Sequence, residues 1–548
     1  MILQHHLIDL HQKRIYPAEI EIKDEKIQSI RELGNLPEEV PFILPGFVDA
    51  HVHIESSMLP PAEFARLAVV HGTVATVSDP HEIANVLGIE GVEFMLNEAK
   101  KVPLKFCFGA PSCVPATTFE TAGATLDAEA VRSLLERTDI GYLAEMMNFP
   151  AVLGKEEEVM KKIAYAHQLG KPIDGHAPAL MGDAAKQYFA AGISTDHECF
   201  SYEEGKQKAE IGVKILIREG SAARNFEALW PLIQEFPAQI MFCSDDKHPD
   251  DLIQGHINQL VQRALTNGCD LFDVLRAACV HPVEHYQLPV GLLREGDPAD
   301  FVIVRDLDTF SIQETWLNGS CVARDGQSRI IFQPSPTPNY FIKSPMKPEE
   351  FRLAAPSSGN QVRVIQALDG QIITGRDQTT VSIQDGYYQT DVENDVLLMA
   401  VVNRYAKAAP PAMGFVRGFG LKKGAIASSV AHDSHNIVAI GIHEEALCQA
   451  VNAIIETKGG ISAVNPSATK ILPLPIAGLM SPENGYELAQ QYSRIDSWVK
   501  ETLGCTLQAP FMLLSFLALP VIPSLKMTDL GVFDVDAFEF VSVDFSES

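Results

Sequence analysis

Apolar and polar positions alternate at period two through the first 45 residues, most clearly in AEIEIKDEKIQSI (18–30). This predicts β-strands with one face open to solvent. From Phe42 to about Glu284 the rhythm changes to short apolar runs separated by stretches of helical length. The runs are FILPGFVDAHVH, GTVATVSDPHE, LKFCFGAPS, IGYLAEMM, KPIDGHA, GISTDHE, VKILIREG and AQIMFCSDD. Glu156 to Leu169 and Asp251 to Asn267 carry amphipathic helical patterns between them. A strand-then-helix repeat predicts parallel βαβ units. Each run ends in polar or ionisable residues, as strands do where a (β/α)8 barrel gathers its active-site loops, so an α/β TIM barrel is expected rather than a doubly wound sheet. Short-strand patterning returns in GLLREGDPADFVIVRDLDTFSIQETWLNGSCVARDGQ, which needs the first 45 residues as partner to complete a small split β-sandwich. Five prolines between Gln333 and Pro348 read as a linker. Beyond it, alternating runs mix with helical ones (Glu444 to Thr457, Gly485 to Thr502), the pattern of an additional C-terminal α+β domain. The expected division is therefore 1–45 with 291–332 for the sandwich, 46–290 for the barrel, 333–348 for the linker and 349–548 for the C-terminal domain.

Composition narrows the partners. Acidic residues outnumber basic ones 71 to 43, a formal net charge of −28, which repels a phosphate backbone and argues against nucleic acid. Nine scattered cysteines without a CxxC pair suit a reducing cytoplasm. The segment MILQHHLIDL has no basic region ahead of an apolar core and does not read as a signal peptide. The most apolar tract, Phe511 to Ile522, is broken by Pro520 and falls short of the about 20 residues a membrane span needs. A soluble cytoplasmic protein without a membrane partner is expected.

The candidate chemistry lies at the run ends. His51 and His53 are two apart on a strand, so both imidazoles point to one face. Later runs end in His176, in His197 and in Asp245, so one rim gathers four histidines and a carboxylate. These are donors suited to Zn, Mn or Fe rather than Ca or Mg, although each histidine alone reads equally as a hydrogen-bonded rim residue. Glu145 closes an apolar run, and a buried carboxylate needs a cation, either a pair of metals that it bridges or an Arg or Lys. Asp79, His81 and Glu82 in SDPHE are placed to hydrogen-bond a substrate or shuttle protons, or else to fix a loop. Arg218 and Glu219 are placed to bind substrate or to form an ion pair. His432, Asp433, His435 and Asn436 form a polar knot between apolar strands. It is either a solvated turn or a piece of the C-terminal domain folded over the barrel mouth to serve the substrate pocket or another metal.

Taken together, PGFVDAHVHIESS, SDPHEIANV, the later histidines and SDD resemble the amidohydrolase superfamily, and within it the adenine deaminases of the bacterial two-metal type. VAHDSHNIVAIG and LPVIPSLKMTDLGVFDV extend that resemblance to the C-terminal segment. The resemblance implies two divalent metals, Mn(II) or Fe(II) with Zn(II) as an option, held by His51, His53, Glu145, His176, His197 and Asp245. It implies hydrolytic deamination of adenine to hypoxanthine and ammonia in purine salvage or catabolism, and a homo-oligomer. In that chemistry Asp245 is the candidate general base and later acid, with Glu82 and His81 beside it and with Asp79, Arg218, His432, Asp433 and His435 on the substrate. Two alternatives remain. A cyclic-amide hydrolase of the hydantoinase or dihydroorotase type would place a carboxylated lysine where this strand has Glu145. A non-catalytic scaffold would lose ligands that are all present.

Overall fold

The computed structural model describes residues 1–356 and 359–545. Strands β1 (Ile2–Asp9), β2 (Arg14–Lys23), β3 (Lys26–Glu32) and β4 (Phe42–Pro45) open the chain. The barrel follows in β5 (Phe47–Val52), β6 (Thr73–Ser78), β7 (Lys105–Ala110), β8 (Ile140–Met146), β9 (Ile173–Gly175), β10 (Thr195–Asp196), β11 (Lys214–Arg218) and β12 (Ile240–Cys243). They form a five-stranded and a three-stranded parallel sheet in sequence order. Backbone bonds close the ring at both seams, from Asp245 N–H to His51 O (2.9 Å) and from Ser194 N–H to Ile173 O (2.9 Å). The expected first run, FILPGFVDAHVH, splits at Gly46. A Cβ there would come within 2.2 Å of Val74 Cγ1, so only glycine lets the chain leave one sheet and enter the other.

Strands β13 (Phe301–Val304), β14 (Ile312–Leu317), β15 (Ser320–Arg324) and β16 (Gln327–Ser328) return to the opening strands. All eight bond as one sheet in the order β16-β15-β14-β13-β4-β1-β2-β3. Leu7, Ile20, Ile43, Phe301 and Trp316 enclose a core of its own on one face, while Ile8, Leu44, Val302 and Val304 pack with the barrel on the other. The segment 333–347 has no helix or strand and is pinned along the C-terminal domain, with Ile342 N–H on Arg404 O (3.0 Å) and Met346 N–H on Asn452 Oδ1 (2.8 Å).

The C-terminal domain contains β17 (Gln361–Gln366), β18 (Gly375–Thr380), a ribbon of β19 (Ile383–Gln384) and β20 (Tyr387–Tyr388), β21 (Leu397–Val402), β22 (Ala412–Arg417), β23 (Ala425–Ser428), β24 (Ile437–Gly441), β25 (Gly460–Asn465) and β26 (Ala468–Pro473). Its main sheet runs β18-β17-β22-β21-β24-β23-β25-β26. Helix Glu444–Thr457 covers one face, with Leu447, Val451 and Ile454 against Ala425, Ala427 and Ala439. Ile426, Val438 and Ile440 on the other face join the barrel's core. Burial on both faces explains why these strands read as continuous apolar runs. Helix Pro510–Phe516 and strands β27 (Leu525–Thr528), β28 (Gly531–Asp534) and β29 (Glu539–Val541) complete the domain. Among the described residues no helix is long and apolar enough to cross a membrane.

One expected helix is interrupted. In place of Asp251 to Asn267 the chain forms Pro249–Leu252 and then Ile257–Thr266, because His256 turns inward and puts Nε2 2.8 Å from Asp49 Oδ2. Gly255 stands at the break.

Candidate metal centre

His51 and His53 leave β5 on one face, and their Nε2 atoms lie 3.2 Å apart. His53 Nδ1–H donates to the Asp79 carbonyl (3.2 Å), which fixes the tautomer and leaves the Nε2 lone pair facing the barrel axis. Glu145, at the end of β8, spans the centre. Its Oε1 is 3.2 Å from His53 Nε2, and its Oε2 is 2.7 Å from His176 Nδ1 and 3.2 Å from His197 Nε2. Asp245 follows β12 with a left-handed backbone (φ 54°) held by its bonds to β5, and its Oδ1 lies 3.3 Å from His53 Nε2. The structure thus brings all six sequence-expected donors into one cluster, none more than 6% exposed.

This donor set fits divalent cations. The Nε2 atoms of His51 and His53 converge on each other (3.2 Å) and on Glu145 Oε1 and Asp245 Oδ1 (3.2 to 4.0 Å), an arrangement in which a cation can take both nitrogens. Burial, then His197 and His53, hold the His51 imidazole well below its ordinary value, so it stays a neutral donor. His53, His176 and His197 go the other way. Burial opposes their charge, yet Asp245, Glu145 and Glu198 pull all three up, so the carboxylates call for positive charge where the rings meet. Glu145 is itself held well below the carboxylate range by His176 and His197, against the cost of burial.

Around the donors lies a cavity of about 350 Å3. Its walls include His81, Glu82, Glu198, Arg218, Asp246, His432 and Asp433. Its apolar side is formed by Met147, Ala223, Ile372, Phe516, Leu519 and Ile522. The C-terminal domain therefore covers the barrel mouth, and the polar knot is no solvated turn. His432 Nδ1 and His435 Nε2 both face the Glu82 carboxylate, and Phe516 stacks on the His432 ring at 4.4 Å. His435 Nδ1 accepts the Ala431 N–H (3.2 Å), so its proton sits on Nε2 and it is no metal ligand there, whereas His81, Glu82 and Asp433 of the same region lie close enough together to hold a cation.

Three residues expected on the substrate contact protein instead. Asp79 stands behind His81, accepting its backbone N–H (3.1 Å) and facing its Nδ1 (3.2 Å). His435 lies behind Glu82 and off the cavity wall. Arg218 reaches the wall, but its guanidinium is taken up by Glu198 (Oε2, 3.0 Å) and Asp245 (Oδ2, 2.6 Å). Glu219 pairs with Arg263 (2.5 Å). Sequence reasoning passed over Glu198 and Asp246, the residues following His197 and Asp245 in the same polar run ends. It also read the apolar tract 511–522 only as too short for a membrane, whereas that tract roofs the cavity.

The amidohydrolase family matches residues 42–322, and the adenine deaminase C-terminal domain matches residues 371–539. The chain is 56% identical over 535 residues to an adenine deaminase of Salinibacter ruber, covering 98% of this chain and 97% of that one. The chain belongs to the adenine deaminase family. It is also 53% identical to an adenine deaminase of a Sulfurovum species (99% of each chain) and 50% identical to one of Methanosarcina barkeri (98% of each). The matched C-terminal domain contains His432, Asp433 and Phe516, so it supplies part of the cavity wall.

Proposed function

We propose that this cavity hydrolyses adenine to hypoxanthine and ammonia, in purine salvage or catabolism, with two divalent cations held by His51, His53, Glu145, His176, His197 and Asp245. The observation that carries the reading is Glu145, whose two oxygens face different histidine pairs across one buried centre. Imidazole and carboxylate donors with no thiolate on the wall suit Mn(II) or Fe(II), with Zn(II) as the alternative. A cation pair of this kind supplies a water acidic enough to lose a proton near neutral pH. Asp245, with Oδ2 on Arg218 and Oδ1 3.3 Å from His53 Nε2, would serve as the general base for that proton and return it to the departing amino nitrogen. His81, oriented by Asp79, presents Nε2 beside Glu82 (3.4 Å) and Asp433 (3.8 Å), where it can move a proton to or from a ring nitrogen. Glu82, Asp433 and His432 offer the mixed acceptors and donors that an amino group and ring nitrogens require, and Phe516 closes the apolar face. The wall holds no lysine, which speaks against the carboxylated-lysine chemistry of cyclic-amide hydrolases. Assembly into a homo-oligomer belongs to the same proposal.

Ultraviolet assay of the Mn-loaded protein with adenine tests the reading, beside Glu145→Gln. Turnover by the wild type should fall by at least about a thousandfold in the variant, on the scale of about 4 kcal/mol of barrel-mouth electrostatics, with metal content reduced in parallel. Absence of turnover in a fully metal-loaded wild type would refute it.

A further inference from the structure

The catalytic cavity is narrow, and its polar residues are buried. A neighbouring cavity offers the base a route to it. Met147 lines this cavity and also a second one of about 1370 Å3; Ile522 faces the first and its neighbour Val521 the second. Met147 is the residue that the two cavities share.

The larger cavity lies between the segments after β7 and β8 and the C-terminal domain, and its walls carry Phe119, Phe149 and Phe538. Phe119 and Phe538 meet edge to face at 5.1 Å and 88°. Phe538 is 50% exposed and has φ 58°, a left-handed backbone that costs about 1–3 kcal/mol for a bulky residue. Its ring also packs on the buried Phe533 (5.6 Å, 75°), and the part left exposed gives the wall an aromatic surface on which a planar heteroaromatic ligand stacks. A third cavity of about 450 Å3 abuts the opposite side, where Ala222 and Arg224 flank Ala223. It shares no residue with the catalytic cavity, and Arg224, Asp369 and Gln508 give it a polar rim.

We propose that the cavity beyond Met147 is a second purine site, a vestibule that binds the planar base before and after reaction, and that the Met147 side chain is the partition the base passes. The proposal rests on the purine reading above. Methionine suits the role, having three rotatable bonds and a polarizable sulfur. Its backbone is tied by Met147 N–H to Glu145 O (3.1 Å) and Phe149 N–H to Met147 O (2.8 Å), so the side chain can swing without displacing Glu145.

The test follows association of the fluorescent base 2-aminopurine with the metal-loaded protein by stopped flow, together with kcat/KM for adenine. Thr118 is exposed on the vestibule wall, and Thr118→Trp narrows the space beside Phe119. Association and kcat/KM should both fall about tenfold or more, and Met147→Ala should speed association about threefold. Metal content, melting temperature and the single-turnover rate of bound adenine should not change in Thr118→Trp. Val535→Trp, from the C-terminal side of the same cavity, decides the matter if Thr118→Trp does not fold. Unchanged association with the vestibule narrowed, or slowing by Gln508→Trp instead, would overturn the proposal. A wild type that binds 2-aminopurine without deaminating adenine would count against the deaminase reading and leave the vestibule in place.

Discussion

Arg218 is fully buried and is the cation on which Glu198 and Asp245 both rest. Burial works against its charge, but the two carboxylates raise its pKa, and in turn it is the main group holding each of them below the carboxylate range. Removing it leaves two buried negative charges without their cation. Arg218→Met should cost about 3–5 kcal/mol in urea unfolding and abolish turnover. Glu198→Gln in the same chain should recover part of the stability but not the rate, since Asp245 Oδ2 still lacks its anchor. Arg218→Lys should restore little, because a single ammonium cannot make the forked contact. The ligands were legible in the sequence because strand alternation and polar run ends mark them. For Arg218 an ion pair was legible as one of two readings but its partners were not, because they stand 20 and 27 positions away and meet it only once the barrel curls.

At the level of elements, the roof of the cavity depends on one buried lysine. Lys526, on β27, donates to Phe516 O (2.9 Å) at the end of helix Pro510–Phe516 and to Ile372 O (2.8 Å), and both residues line the cavity. Burial lowers its pKa to about 7. The folded value lies below the unfolded one, so between about pH 7 and 10.5 the unfolded chain binds more protons and this group makes stability rise with pH. Below pH 7 the full penalty of a buried ammonium is present. Lys526→Met should flatten the stability profile over that window by up to about 1.4 kcal/mol per pH unit, read from urea midpoints at several pH values. It should also raise KM for adenine by loosening Phe516, leaving metal content unchanged. An equal slope in wild type and variant would show that Lys526 keeps its proton. The elements differ in how far the sequence foretold them. Helix Glu444–Thr457 follows its apolar stripe to both ends, whereas the stretch 251–267 has a helical pattern and breaks because His256 is drawn to Asp49, a contact across 207 positions.

Across the whole molecule, the site belongs to no single domain. Glu82 of the barrel holds two histidines, one of them 350 positions away in the chain, and further bonds cross the same boundary. Gly485 N–H reaches Glu63 Oε2 (2.9 Å), Thr121 N–H reaches Asp529 Oδ1 (2.9 Å) and Ser481 N–H reaches Met58 O (2.9 Å). From the chain alone this closure is one of two readings of the knot at 432–436, the other being a solvated turn, and the barrel mouth set against it decides between them. Cations bound only by barrel residues should therefore stabilise both domains. Metal in thousandfold excess over its Kd adds about 4.1 kcal/mol to the folded state. Calorimetry should show one cooperative transition that moves down as a unit when the metal is chelated and returns when Mn(II) is restored. Glu82→Ala strips His432 and His435 of their shared carboxylate, and in that variant chelation should shift a barrel transition while the C-terminal domain melts at a temperature independent of metal. Two transitions already present in the metal-loaded wild type, with only one of them responding to chelation, would mean that the roof rests on the barrel without being coupled to it.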